Sequence, residues 1–291
     1  MDHPPAERAW ADQYWSSPDG LKLHYRDYPG PDGALPVLCL HGLTRNARDF
    51  GSLAEHLAPR HRVIVPELRG RGDSEYARDT DSYTPLTYAA DVEALLAELA
   101  LGRFAVVGTS LGGLLAMMLA SADVSRLAGV VLNDIGPTIE EDGLARIRSY
   151  VGQGRSFPTW MHAARAMQES SGAAFPEYGI EQWIAMAKRC MAIGQSGRIV
   201  FDYDMGIADP FSRPGGEAGV DLWPALETLK QTPVTILRGE FSDVLSEATL
   251  QEMLRRLPLA EAATVARVGH APMLDEDDAV AAIDALLERA A

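Results

Sequence analysis

Positive charge is what this chain has little of. Its 26 Lys and Arg residues face 41 Asp and Glu, leaving a formal net charge of −15. That balance argues against nucleic acid or an anionic membrane surface as a partner. Cysteine is scarce as well. Cys39 lies in the apolar run 37–40 and Cys190 in a helical-looking segment. They have neither the spacing of a metal site nor the number a disulfide framework needs, and read as buried thiols in a reducing cytosol. No stretch approaches ~18 uninterrupted apolar residues, so no transmembrane helix is expected. The opening MDHPPAERAW lacks the basic and apolar regions of a secretory signal, which points to a cytoplasmic protein. Internal repeats and low-complexity tracts are missing too. What is present is 47% hydrophobic residues over 291 positions, enough for a large α/β core or a core with one insertion.

The apolar pattern supplies that core. A hairpin is expected around the turn signal Ser17-Pro18-Asp19-Gly20. Short β-rich runs at 36–40, 62–65, 104–107, 129–133, 233–237 and 262–266 read as buried strands. Helical stretches at 46–57, 84–99, 111–120, 222–229, 247–257 and 277–290 alternate with them. Along 84–99, Leu86, Ala89, Ala90, Leu95 and Leu96 are expected inward, with Asp91, Glu93 and Glu98 outward. Strand alternating with helix predicts a mostly parallel, doubly wound sheet covered on both faces. Between 137 and 220 the strand signals disappear, and helices are expected near 143–151, 158–169 and 180–193. The division is therefore a core of residues 1–136 and 221–291 with a helical insertion at 137–220. The Gly-rich loop 66–74 tempts a phosphate-binding reading, but the Walker pattern Gly-x-x-x-x-Gly-Lys-Ser/Thr is absent.

The chemistry centres on Gly108-Thr109-Ser110-Leu111-Gly112-Gly113, set between a buried strand and an Ala/Leu-rich helix. A strand turning directly into a helix strains the serine backbone, and the glycines relieve the crowding. The serine hydroxyl is then exposed at a helix N-terminus that favours developing negative charge. A serine needs a base, and the base needs an orienting acid. Of seven histidines, His270 in Val268-Gly269-His270-Ala271-Pro272 follows the last expected strand, so its loop shares the sheet edge with Ser110. For the acid, Asp243 follows strand 233–237 and Asp134 follows strand 129–133; both loops open on that edge, and Asp243 is preferred. The Leu111 N–H supplies one oxyanion donor, and Leu43, after His41-Gly42, the other. His41 is expected to hold that loop by hydrogen bonding.

These motifs resemble the α/β-hydrolase fold family in its His-Gly-x, Gly-x-Ser-x-Gly-Gly, late-Asp, Gly-His branch. Arg69-Gly70-Arg71-Gly72-Asp73-Ser74 matches the family's Arg-Gly-x-Gly-x-Ser turn, and the resemblance spans the chain. It implies a triad of Ser110, Asp243 and His270 and a helical cap, 137–220, over the pocket. The acid motif carries one residue more than the common Gly-x-x-Asp spacing. Epoxide hydrolases and haloalkane dehalogenases of this fold have Asp where Ser110 stands. Proline iminopeptidases have Trp where Leu111 stands. The expected activity is hydrolysis of a small ester, lactone or related acyl substrate through an acyl-enzyme, with no cofactor or metal. Two alternatives are carbon–carbon hydrolysis of a vinylogous diketone and a non-catalytic ligand receptor. Cap residues such as Trp160, Met161, Met167, Phe175, Met186, Phe201 and Phe211 are expected to pack the cap and line an apolar acyl pocket. Arg146, Arg148, Arg189 and Arg198 could meet a substrate carboxylate, though a solvated face suits each.

Overall fold

A computed structural model describes residues 9–211 and 221–291. In chain order the elements are β1 (Ala11–Ser16), β2 (Lys22–Tyr28), β3 (Val37–Leu40), α1 (Gly51–Leu57), β4 (Val63–Pro66), α2 (Pro85–Glu98), β5 (Phe104–Thr109), α3 (Leu111–Asp123) and β6 (Leu127–Asn133). Then follow α4 (Glu141–Tyr150), β7 (Ser156–Phe157), α5 (Trp160–Ser171), α6 (Ile180–Cys190), β8 (Met191–Ile193), β9 (Ile199–Phe201) and α7 (Ala208–Phe211). The chain closes with α8 (Trp223–Glu227), β10 (Val234–Gly239), α9 (Glu247–Arg256), β11 (Ala260–Val265) and α10 (Asp277–Ala290).

Eight strands form one sheet in the order β1-β2-β4-β3-β5-β6-β10-β11. The β1–β2 and β2–β4 pairs are antiparallel and the rest parallel, which is the expected mostly parallel, doubly wound arrangement. Every residue of β3, β4 and β6 is buried, as parallel strands covered on both faces must be. The pleat sends alternate residues to opposite layers. Leu38 and Leu40 pack toward α2 and α3, while Val37 and Cys39 pack toward α1 and α10.

Two local expectations are corrected, and the phosphate-binding reading already set aside for loop 66–74 gives way to another role for it. On α2, Leu86 is 69% exposed and Asp91 is fully buried. Asp91 turns inward because the Arg69 guanidinium waits there, bonding it through Nε and Nη2 at 2.7 Å each. A buried carboxylate needs such a partner. In loop 66–74 the cradle holds the chain's own Glu67 carboxylate, which accepts from the N–H groups of Ala47 (3.0 Å) and Asp73 (2.7 Å) and meets His24 Nδ1 at 2.9 Å. Gly72 adopts φ +54°, and a Cβ there would lie 2.2 Å from Glu67 Oε2.

The second correction concerns the insertion, which is not purely helical. Its strands β7, β9 and β8 form a small antiparallel sheet. Trp183, Ala187 and Cys190 are buried on one face of α6, but the helix, expected to run to 193, ends at Cys190. Met191–Ile193 turns back as a strand through a hairpin closed by Gly194 N–H bonding the Arg198 carbonyl at 2.8 Å, so Ile193 is 67% exposed. Several contacts tie the insertion to the core: Arg48 to Asp202 (2.6 Å), Arg189 to Asp275 (2.5 Å) and Asp204 N–H to the Gly70 carbonyl (2.8 Å). The expected boundary at residue 220 lies outside the described residues.

Candidate active site

The register of the sheet builds the site. Thr109 pairs with Asn133 across β5 and β6, so the residues that leave the two strands, Ser110 and Asp134, emerge side by side at the carboxyl edge. Both have positive φ, +51° for Ser110 and +56° for Asp134, a conformation costly for a side-chain-bearing residue and held here by surrounding bonds. The Ser110 N–H bonds the Asn133 carbonyl at 3.0 Å, and the Asp134 N–H bonds the Leu237 carbonyl at 2.8 Å. The turn closes tightly because Gly112 approaches β3; a Cβ on it would lie 1.9 Å from the Leu40 carbonyl oxygen. Asn133 adds a brace, its Nδ2 donating to Thr109 Oγ1 (3.0 Å) and to the Pro272 carbonyl (2.9 Å), which links the serine turn to the histidine loop.

That loop follows β11 and folds back over the edge, with Phe241 N–H bonding the Val268 carbonyl at 2.9 Å. It sets His270 between two partners. Nε2 lies 3.0 Å from Ser110 Oγ and Nδ1 lies 2.8 Å from Asp134 Oδ2. An ionised carboxylate only accepts, which assigns the proton to Nδ1 and leaves Nε2 free to accept from the serine hydroxyl. Asp134 is fully buried, and its carboxylate is fully engaged. Oδ1 accepts from Gly239 N–H at 2.8 Å, and Oδ2 accepts from Ser242 Oγ at 2.7 Å as well as from His270.

Asp243, the preferred acid on sequence grounds, does not bond His270. Its carboxylate is taken by Arg146 of α4, with Nε at 2.5 Å and Nη2 at 2.8 Å. Burial works to raise its pKa, and the Arg146 ion pair outweighs that to hold it below the usual value. The signal was in the spacing: three residues on from Gly239 is Ser242, whose hydroxyl meets Asp134, and one residue further the side chain points toward the insertion. Arg146 therefore meets a carboxylate of the core, while Arg198 bonds Ser156.

Leu43 and Leu111 both line the cavity at Ser110. Leu111 opens α3, so its N–H has no acceptor within the helix. The Leu43 carbonyl is held by Arg71 Nε at 2.9 Å. His41 is fully buried behind it, with Nδ1 2.8 Å from the Gly42 carbonyl and Nε2 accepting from Leu68 N–H at 3.1 Å. Those partners fix a neutral ring, and burial lowers its pKa to about 4.

Ser110 and His270 open into a cavity of about 770 Å³. Core residues Leu114, Met118 and Ile135 line one side and insertion residues Ile147, Phe157, Met167, Phe175, Met186 and Phe201 the other. Among the described residues three arginines also reach it: Arg146, paired with Asp243; Arg45, paired with Asp49 through two bonds of 2.6 Å; and Arg155, which lies over the Phe157 ring at 5.4 Å. Asn133 and Ser242 were not singled out from the sequence, because each acts through contacts distant in the chain.

Comparison with known proteins agrees with this architecture. A model of the α/β-hydrolase family matches residues 37–283. The chain belongs to that family and is a hydrolase. It is 33% identical over 264 residues to a 3-hydroxybutyrate-oligomer hydrolase of Cupriavidus necator, covering 88% of this chain and 89% of that protein. It is 28% identical to a 2-(acetamidomethylene)succinate hydrolase of Mesorhizobium japonicum, covering 76% of each. Among solved structures, an α/β hydrolase from Novosphingobium aromaticivorans superposes with a TM-score of 0.95 at 55% identity, covering 98% of this chain and 100% of that one.

Proposed function

We propose that this protein is a carboxylic-ester hydrolase that works through Ser110, His270 and Asp134. The observation that carries the reading is the unbroken line from Ser110 Oγ to His270 Nε2 (3.0 Å) and from Nδ1 to Asp134 Oδ2 (2.8 Å). In the first step Ser110 Oγ attacks the acyl carbon while Nε2 takes its proton. Asp134 keeps the tautomer and stabilises the imidazolium. The N–H groups of Leu111 and Leu43 receive the oxyanion. The ester C–O bond then breaks, the leaving alcohol takes the proton from Nε2, and an acyl-enzyme remains. Water repeats the sequence, giving its proton to Nε2, and the acid is released. The chain's own residues supply every proton transfer in this scheme, and it calls on no cofactor or metal.

The mostly apolar cavity, roofed by the insertion acting as a cap, suits an acyl or hydroxyacyl chain. The Cupriavidus relative, by its name, hydrolyses oligomers of 3-hydroxybutyrate, and linear hydroxyacid oligoesters are the substrate class we put first. A cytoplasmic setting fits the two buried free thiols, and among the described residues no helix is long and apolar enough to cross a membrane. The test is a fluorophosphonate label followed by a substrate panel. The panel holds p-nitrophenyl esters of graded length, 3-hydroxybutyrate dimer and trimer, and a vinylogous diketone. Labelling at Ser110 with ester turnover supports the reading. Turnover of the diketone alone, or ligand binding without any turnover, overturns it.

A further inference from the structure

Resting on the role given to Asp134 above, we infer that Ser242 is a positioning residue for the reaction: its hydroxyl locks the carboxylate that orients His270. The hydrogen-bond polarity leaves it no other arrangement. Ser242 Oγ receives two backbone donors, the N–H of Val244 at 3.2 Å and the N–H of Leu245 at 3.1 Å. Both approach its lone pairs, so its single hydrogen is directed to Asp134 Oδ2 at 2.7 Å. That is the same oxygen that meets His270 Nδ1 at 2.8 Å. Gly239 N–H fixes the other oxygen at 2.8 Å. The carboxylate is thus pinned by the last residue of β10 and the loop after it, while its backbone belongs to the turn after β6. Ser242 is itself anchored, since its N–H bonds the Gly239 carbonyl at 2.9 Å.

The shared oxygen has an electronic consequence. A hydroxyl donor draws charge from Oδ2 and tempers its pull on the imidazole proton. Removing the donor leaves a stronger anion against Nδ1, which favours imidazolium. A serine that merely closed the 239–245 turn would need only its two acceptor bonds, and its loss would cost stability without touching the histidine.

The experiment compares wild type, Ser242→Ala, Ser242→Thr and Asp134→Asn on a p-nitrophenyl ester from pH 5 to 9, with melting temperatures for each. Ser242→Ala should lose about 10- to 100-fold in kcat with KM within about twofold, and the acid limb of kcat/KM should move up by about half a pH unit. Ser242→Thr keeps the hydroxyl and should stay within about threefold of wild type. If the alanine variant does not fold, Ser242→Cys, of similar shape and a weak donor, carries the same test. Wild-type kcat and an unmoved acid limb in Ser242→Ala, with Asp134→Asn crippled, overturn the Ser242 inference alone. An active Asp134→Asn overturns the assignment beneath it as well.

Discussion

Two aspartates follow two neighbouring strands and meet opposite fates. Asp134, after β6, is fully buried and accepts from Gly239, Ser242 and His270. Asp243, after β10, is about a third exposed and faces the insertion, where Arg146 takes both its oxygens. Chain order admits either as partner of His270, since both lie between Ser110 and His270. The difference is made by register. β6 is hydrogen-bonded directly to β5, and Thr109 pairs with Asn133, so the residue after β6 is delivered beside the serine. The loop after β10 must reach across, and its residue at the right depth is Ser242.

The largest effect sets the floor for that comparison. Ser110→Ala should lose about a million-fold in kcat with an unchanged melting temperature. Against that floor, Asp134→Asn should lose on the order of ten-thousand-fold, because an amide favours the wrong tautomer of His270. Asp243→Asn should stay within about tenfold on the same scale. Steady-state kinetics on the three purified variants decides the matter, and the reverse ranking of the two aspartates would sink the assignment.

Much of this was legible in the residues. Buried β-branched runs separated by Ala/Leu helices fix a parallel sheet by periodicity alone, and the glycines around Ser110 announce a turn that only small residues permit. His270 follows from its place after the last strand. What stayed hidden depends on contacts between distant segments. Asp91 looks like an outward charge until Arg69, 22 residues away, is folded against it. The strand Met191–Ile193 continues an apolar helical spacing, and it leaves the helix only because a hairpin closes between Gly194 and Arg198. Asp134 was visible as a rival acid, but strand adjacency, which sequence order does not give, is what places it.

A smaller effect sharpens the contrast between buried groups that meet another titratable side chain and those that bond backbone alone. Asp134 faces His270, whereas His41 is equally buried and, among the described residues, its ring bonds a carbonyl and an N–H of the backbone. Burial lowers the His41 pKa from its ordinary 6.5 to about 4. Between those values the unfolded chain binds a proton that the native state refuses. The stability contributed by the neutral ring is therefore complete above pH 6.5 and is lost as pH falls toward 4, by roughly 3 kcal/mol. His41→Gln keeps a donor and an acceptor but does not titrate. Denaturant midpoints should show the variant at its largest disadvantage at pH 7.5, with the gap narrowing by pH 4. A gap that stays constant with pH would contradict a neutral, depressed His41.

The smallest effect belongs to the pair that claims Asp243. Arg146 and Asp243 have side chains 29% and 33% exposed, so solvent screens their attraction. The pair joins α4 of the insertion to the loop after β10, and Arg146 also lines the cavity. It should act on substrate binding and modestly on stability, not on the chemical step. A double-mutant cycle with Arg146→Met, Asp243→Asn and both changes isolates the interaction. The coupling energy in thermal or denaturant unfolding should be about 0.5–1 kcal/mol at pH 7 and should shrink in 1 M salt. Because the folded pKa of Asp243 is lowered, that contribution is present above the ordinary aspartate value of 3.8 and disappears as pH falls through the lower folded value. Kinetically, Arg146→Met should raise KM severalfold and leave kcat within about threefold. A kcat loss in Arg146→Met comparable to that of Asp134→Asn would place the second aspartate back in the reaction and erase the distinction between the two loops.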